Sequence, residues 1–160
     1  MKNDEYFMNE ALDEAKKALE RGDWPIGCVI VRKQKVVSRG RNRIYSSGRK
    51  LAHAEMSAIE KISKDLIKNR GEYTLYTTIE PCTMCLGAAL LHHIRKIVFG
   101  AKDSAGSSHF VNDLPKIFKE AQYKMEIEGG ILSDECYKIF RQGKPTKKLI
   151  KDKLILEEYK

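Results

Sequence analysis

The protein is a chain of 160 residues with 30 basic and 22 acidic side chains, which give a formal net charge of +8. This length suits one domain with one core, and a content of 42% hydrophobic and 32% charged residues is that of an ordinary water-soluble protein. No apolar run approaches the roughly 18 residues that span a bilayer, and no apolar signal segment follows the N-terminus, so we expect a cytoplasmic protein. The positive charge is compatible with a polyanionic partner such as nucleic acid, and equally with a solvated lysine-rich surface.

The first half of the chain predicts a helix, a β-hairpin and a second helix. Residues 4–21 carry apolar side chains at steps of three and four, and a glycine follows as a stop signal. Residues 26–31 and 35–41 predict two strands joined by a tight turn, which pair as a hairpin. A polar loop over residues 42–50 then leads to a helix over residues 52–68.

The second half predicts alternating strands and helices. Strands are predicted at residues 73–79, 95–99 and 123–127, and helices at residues 83–92, 113–121 and 133–142. Residues 103–112 predict a polar loop, Ser133 is typical of an N-cap, and residues 144–160 predict a short helix or a partly disordered tail. The alternation after residue 52 indicates a layered α/β domain with a largely parallel sheet, which the opening hairpin makes mixed.

Two short motifs carry the residues for a hydrolysis, namely His53-Ala54-Glu55 and Pro81-Cys82-Thr83-Met84-Cys85. His53, Cys82 and Cys85 are zinc ligands by type, and three protein ligands leave a fourth position for water. Glu55 would take a proton from that water, deliver it to a ring nitrogen of a base and then protonate the departing amine. An H-x-E followed by P-C-x-x-C is the signature of zinc-dependent nucleobase deaminases, and it predicts one Zn²⁺ per chain.

Both motifs are predicted at helix N-termini. Two helix N-termini directed at one place concentrate positive potential there, which lowers thiol pKa and favours the thiolates that zinc requires. Glu55 lies two residues after His53, and residues at that spacing do not face the same way on a helix. We therefore predict that Glu55 is the proton carrier and not a fourth ligand.

A structural zinc site and a redox C-x-x-C are the alternatives for these motifs. A structural site needs a fourth protein ligand, and the other candidates by type are His92, His93, His109, Cys28 and Cys136. His92 and His93 lie at the far end of the helix that Cys82 begins, roughly 10 Å away. A redox motif would not require the H-x-E. The two remaining thiols, Cys28 and Cys136, are predicted to be buried and structural.

With these residues, the chain resembles the cytidine deaminase-like superfamily and, within it, the bacterial tRNA adenosine deaminases. The match extends in the same order over about residues 1–140. The matching segments are residues 25–31, 40–42, 52–56, 74–76, 80–88, 97–103, 130–132 and 134–136.

The resemblance implies a fold, a reaction and partners. The implied fold is a three-layer α/β/α sandwich around a five-stranded mixed sheet, in a protein that is often a homodimer. The implied reaction converts adenosine to inosine in a tRNA anticodon loop. The implied zinc ligands are His53, Cys82 and Cys85, with Glu55 as the catalytic proton shuttle.

The resemblance also implies a substrate-binding set of Asn42, Ala54 and Asp103. Asn42 would hydrogen-bond the target base from the loop after the second strand, and Asp103 would contact the RNA near the flipped nucleotide. Considered alone, Asn42 is equally typical of a turn, and Asp103 of an ordinary loop or a helix cap.

The chain departs from this family in the parts that select substrate. Residues 47–51 lack the Asp-Pro-Thr that commonly precedes the first motif, residues 104–116 lack the usual run rich in Thr, Gly and Ala, and the final helix ends before Gly143 and Pro145. We therefore divide the chain into a zinc-dependent deaminase domain, residues 1–143, and a basic tail, residues 144–160. From position 141 onward there are seven basic and three acidic residues.

These departures leave the substrate open. Deamination of adenosine in tRNA is the first hypothesis. The second is a deaminase of a free base or nucleoside, either guanine or cytosine, and the third is a non-enzymatic zinc-stabilised binding module.

Overall fold

The computed structural model describes residues 2–104, 106, 108 and 125–143. The helices in these residues are α1 (Asp4–Glu20), α2 (Ile44–Ser47), α3 (Ala54–Lys61), α4 (Ser63–Lys68), α5 (Thr83–Leu91) and α6 (Ser133–Phe140). The strands are β1 (Gly27–Arg32), β2 (Lys35–Arg41), β3 (Tyr73–Ile79), β4 (Lys96–Ala101) and β5 (Glu126–Gly129). The helix predicted at residues 113–121 and the tail at residues 144–160 lie outside the described residues. In the described part of the chain, no helix is long and apolar enough to cross a membrane.

The five strands form one mixed sheet in the order β2-β1-β3-β4-β5. Strand β1 is antiparallel to both of its neighbours, β2 and β3, whereas β3, β4 and β5 run parallel to one another. The β1–β2 pair is the predicted hairpin, and α5 is the crossover that parallel neighbours β3 and β4 require. The expected five-stranded mixed sheet is therefore confirmed.

Helices cover both faces of this sheet. Residues Gly27–Val31 of β1 are all buried, and successive side chains of a strand point to opposite faces. Cys28 and Ile30 pack in a core with side chains of α3, α4 and α5, while Val29 and Val31 pack in a second core with side chains of α1 and α6. The result is the expected three-layer α/β/α sandwich, and the layer that contains α3 and α5 carries both sequence motifs.

The single helix predicted over residues 52–68 is wrong, because the structure has two helices there. α3 and α4 are separated at Ile62, whose φ of −119° and ψ of 18° lie outside the helical region. The break turns the chain so that Leu66 is fully buried and the Tyr73 hydroxyl donates to Asp65 Oδ2 at 2.6 Å. Periodicity misses the break because the apolar side chains keep their helical spacing across it.

Three smaller predictions also need correction. The polar loop over residues 42–50 contains α2, which buries none of its residues and so produces no apolar pattern. Ser133 is the first residue of α6 and not its N-cap, a position that Leu132 occupies with a φ of +52°. The strand predicted at residues 123–127 is observed as β5, a mostly exposed edge strand with a correspondingly weak apolar signal; residues 123 and 124 lie outside the described part.

Candidate active site

The two motifs lie at helix N-termini, as the sequence predicts. His53 is the N-cap of α3 and Cys82 is the N-cap of α5, and both have extended backbone conformations. Neither side chain makes a capping hydrogen bond to its own helix, so both remain available to bind a metal ion. Cys85 is the third residue of α5 and is buried.

His53, Cys82 and Cys85 converge on one point. The His53 Nδ1 atom lies 3.8 Å from Cys82 Sγ and 3.6 Å from Cys85 Sγ, and the three ligand atoms lie within 4.8 Å of one another. Ligands of a tetrahedral zinc ion, at the usual Zn–S and Zn–N lengths, are about 3.6 Å apart. The three residues therefore fit a zinc ion. Among the described residues, no fourth His, Cys, Asp or Glu joins the group, which leaves one coordination position open.

The electrostatics of the two thiols also suit a cation. Hydrogen bonding from Cys85, together with His53, lowers the pKa of Cys82 and favours its thiolate form. The same pairing with Cys82, along with burial and the Glu55 carboxylate, raises the pKa of Cys85. Two thiolates this close ionise together only when a cation balances them, and a divalent metal supplies that charge.

Glu55 lies beside this cluster in the core. It is only 4% exposed, its Oε1 accepts a hydrogen bond of 3.1 Å from the Thr77 hydroxyl, and its Oε2 accepts one of 3.4 Å from Cys85 Sγ. Burial raises the pKa of Glu55. A raised pKa makes a carboxyl group a stronger base, and a proton carrier must first accept a proton before it donates it.

The start of α3 is fixed by close contact with β2. Gly40 packs against the backbone of Ala54, and a Cβ at position 40 would lie 2.1 Å from the Ala54 carbonyl oxygen. The Ala54 side chain is fully buried, so it presents no surface to a substrate. Because Ala54 is the first residue of α3, its N–H has no acceptor within the helix and is the group that could contact a substrate. Its assignment to the substrate-binding set stays a prediction.

Asn42 follows β2 directly and is only 2% exposed. Its backbone N–H donates to the Ile26 carbonyl at 3.0 Å, and its Oδ1 accepts from the Ile44 N–H at 3.1 Å. The second bond is an Asx-turn, so the turn role that the residue type predicts is present. The structure shows no acceptor for Asn42 Nδ2 among the described residues, and this nitrogen is the group left to engage a substrate.

Asp103 follows β4 and is held by a residue that sequence reasoning missed. Its backbone N–H donates to Glu80 Oε2 at 3.3 Å. Glu80 is buried, and its other oxygen accepts from both the N–H and the hydroxyl of Ser108. Glu80 immediately precedes Pro81 and Cys82, so it joins the Asp103 loop to the start of α5. The sequence signal for Glu80 was a charged residue directly after an apolar strand. A carboxylate buried at such a position needs several hydrogen-bond donors, which indicates a structural role.

The comparison with known families agrees with this geometry. Residues 1–101 match the family of the cytidine and deoxycytidylate deaminase zinc-binding region, a span that contains both motifs and all of Asn42, Glu55 and Cys85. The chain belongs to this deaminase family. It is therefore a hydrolytic deaminase, and the alternative of a non-enzymatic binding module loses its support.

Relatives of this deaminase act on different substrates. This chain is 41% identical over 139 residues to the tRNA-specific adenosine deaminase of Bacillus subtilis, and the alignment covers 85% of each chain. A solved structure from a study of A-to-I editing by tRNA:A34 deaminases at the wobble position of transfer RNA superposes with a TM-score of 0.73 and 33% identity, over 84% of this chain and 98% of that one. The structure of a guanine deaminase from Bacillus subtilis superposes with a TM-score of 0.59 and 30% identity, over 71% of this chain and 79% of that one.

Proposed function

We propose that this deaminase converts adenosine to inosine in a tRNA anticodon loop and binds one zinc ion per chain. The observation that carries the proposal is the convergence of His53, Cys82 and Cys85 with Glu55 beside them, in a chain 41% identical to a tRNA-specific adenosine deaminase. His53, Cys82 and Cys85 would hold the zinc, and the chemistry that zinc would supply there is the acidification of a bound water molecule to a pKa of roughly 7.

Glu55 moves the protons. Its Oε1 is held by Thr77, and its Oε2 lies on the side of Cys85, toward the metal site. Glu55 takes a proton from the attacking water, delivers it to a ring nitrogen of the base, and carries the second proton to the amino group that leaves as ammonia. The water oxygen remains on the ring carbon as the carbonyl of inosine, so atoms and protons balance.

Asn42, Ala54 and Asp103 bind the target nucleotide in this proposal. The Asn42 Nδ2 donates to an acceptor of the base, because its Oδ1 is already occupied by the Ile44 N–H. The Ala54 N–H donates at the start of α3. Asp103 contacts the RNA next to the flipped nucleotide, in the position that Glu80 fixes.

Basic residues support a polyanionic substrate. The segment after Asn42 carries Arg43, Arg49 and Lys50, and an exposed lysine at position 102 precedes Asp103. Both loops that bear proposed substrate contacts therefore bring positive charge, which binds phosphates without regard to sequence.

We also propose that the enzyme is a homodimer. Leu51 and Leu91 are 62% and 65% exposed. Leu51 borders a cavity of about 330 Å³ that Met56 and His92 also line, so an apolar surface is present on the layer of α3 and α5. A surface of this kind fits a second copy of the chain.

Guanine deamination is the second candidate function. It is favoured by the 30% identity to a guanine deaminase. In this chain, the reaction would use the same cluster of His53, Cys82 and Cys85 and the same Glu55 carboxylate. The loops after Asn42 and around Asp103 decide between a free base and a nucleotide of RNA.

One experiment separates these candidates. The purified protein is offered bulk tRNA, adenosine, cytosine and guanine in parallel, and the products are measured by mass spectrometry. We expect inosine in tRNA and no product from the free compounds, and no activity from Glu55→Gln. Ammonia release from guanine with tRNA unchanged would replace the first proposal with the second.

A further inference from the structure

The short helix α2 directly follows Asn42 and has its first N–H groups satisfied by two side chains. Asn42 Oδ1 accepts from the Ile44 N–H, and Asp23 Oδ1 accepts from the N–H groups of Tyr45 and Ser46 at 2.8 and 2.9 Å. The N-cap residue, Arg43, makes no side-chain capping bond. A helix of four residues has almost no stability of its own, so these bonds hold it in place.

Asp23 is itself held rigidly at the end of α1. Its backbone N–H donates to the Ala18 carbonyl, and the N–H of Gly22, which has a φ of +80°, donates to the Leu19 carbonyl. This pair of bonds is a Schellman motif, which fixes the direction of the chain as it leaves a helix. The side chain of Asp23 therefore points at α2 from a rigid base.

Asp23 is buried, and among the described residues only one of its two carboxylate oxygens, Oδ1, makes hydrogen bonds. The residue is 0% exposed, and its Oδ2 has no hydrogen-bond partner in the described part of the chain. A fully buried carboxylate with one oxygen unpaired is costly to keep. The two bonds made by Oδ1 are what offsets that cost, and both go to the turn that carries Asn42.

We infer that Asp23 is a positioning residue that acts through Asn42. This inference rests on the proposed function, in which Asn42 Nδ2 donates to the base. Asp23 holds α2, α2 holds Asn42 Oδ1 through the Ile44 N–H, and Nδ2 is thereby kept on the substrate side. Without the Asp23 acceptor, the N–H groups of Tyr45 and Ser46 turn to water, α2 unwinds, and the Asn42 carboxamide rotates freely.

The test is a double-mutant cycle on kcat/KM. The set is Asp23→Ala, Asn42→Ala and the double variant, with Asp13→Ala, an exposed carboxylate on α1, as the matched control. We expect Asp23→Ala to lower kcat/KM about tenfold, mainly through KM, and to lower it less than twofold further in the Asn42→Ala background. Asp23→Asn, which keeps an acceptor, should stay within about threefold of the wild type. Independent losses that multiply in the double variant, or an Asp23→Asn enzyme as impaired as Asp23→Ala, would overturn the inference.

Hydrogen exchange gives a readout that does not depend on activity. The amides of residues 44–47 should exchange slowly in the wild type and in Asp13→Ala, and at least tenfold faster in Asp23→Ala. If Asp23→Ala does not fold, Asp23→Ser serves instead. The serine side chain is shorter, and its hydroxyl can accept only part of the hydrogen bonding from the N–H groups of Tyr45 and Ser46. Unchanged exchange in a folded variant overturns the inference.

The failure of the proposed function is distinguishable from the failure of this inference. If the wild type makes no inosine in tRNA, the proposed function fails, and the same cycle is then run with whichever compound the parallel assay shows to be deaminated. If the wild type makes inosine and the Asp23 and Asn42 losses multiply, the proposed function stands and the positioning role fails.

Discussion

The Thr77 hydroxyl donates a hydrogen bond of 3.1 Å to Glu55 Oε1 within the core. Thr77 belongs to β3, the central strand of the sheet, and Glu55 to the first turn of α3, so this bond ties the carboxylate to a buried strand. One oxygen of Glu55 is therefore fixed, and the other remains on the side of the metal ligands.

Thr77→Val tests this relationship, since valine keeps the shape of threonine and removes the donor. A hydrogen bond to a charged group contributes about 1.5–3 kcal/mol, so we expect kcat to fall roughly tenfold or more while KM changes less than about threefold. Thr74→Val on the same strand is the control and should leave both constants unchanged. Wild-type kcat in a folded Thr77→Val enzyme would show that the bond does not orient Glu55.

Glu55→Gln and Cys82→Ala should separate chemistry from metal binding. Glu55 is not one of the three converging ligands, so Glu55→Gln should retain about one zinc per chain by elemental analysis and lose at least about 100-fold in kcat. Cys82→Ala removes a thiolate ligand and should lose the zinc as well as the activity. Activity that persists in Glu55→Gln would rule out the proton transfers proposed above.

Gly40→Ala should disturb the start of α3. The added methyl group would lie 2.1 Å from the Ala54 carbonyl oxygen, and the backbone must move to relieve that contact. Overpacking of this kind costs about 1–3 kcal/mol in the free energy of unfolding, measured by urea titration. Gly87→Ala in α5 is the matched control. A Cβ there meets no atom within 4 Å apart from its own helix backbone, and alanine favours helix, so the stability of this variant should not fall. Equal stability of Gly40→Ala and the wild type would contradict the contact.

Glu14 should contribute a measurable acid dependence to stability. Burial by itself would raise the pKa of Glu14, but hydrogen bonds from Lys17 and Arg41 outweigh it and hold the pKa below the ordinary value of 4.5. The unfolded chain therefore binds the proton first as pH falls. The contribution of this carboxylate is complete above pH 4.5 and is lost as pH falls through the folded-state value.

Urea unfolding of the wild type and Glu14→Gln between pH 7 and pH 3 measures this effect. The stability difference between the two proteins should be constant near neutral pH and should shrink below pH 4.5. Glu20→Gln, at an exposed position of the same helix, should follow the wild type throughout. A difference that widens toward acid would contradict the assigned direction.

Much of the site was accessible from the sequence because its determinants are local. His53 and Cys82 each precede an apolar helical pattern, and each is observed as the N-cap of its helix. The mixed character of the sheet also followed from the alternating elements and the one hairpin. The boundary at Ile62 and the helix α2 were missed because neither changes the apolar pattern along the chain.

The supporting contacts could not be predicted from the sequence, since they join distant positions. Thr77 reaches Glu55 across 22 residues, Asp23 reaches Tyr45 across 22, and Glu80 reaches the Asp103 N–H across 23. Local patterns show that such polar residues exist but do not show which buried donors they meet. Only the packing of the helices and loops against the sheet brings these pairs together.

The separation of the metal ligands along the chain has a topological consequence. His53 and Cys82 are 29 residues apart, and the segment between them contains α4 and all of β3. An ion bound by both residues would close this segment into a loop, as a cross-link does. It would restrict the unfolded chain and connect the starts of α3 and α5 on either side of β3. Removal of the ion would therefore destabilise the centre of the fold as well as abolish activity. The unfolding temperature should rise with zinc occupancy.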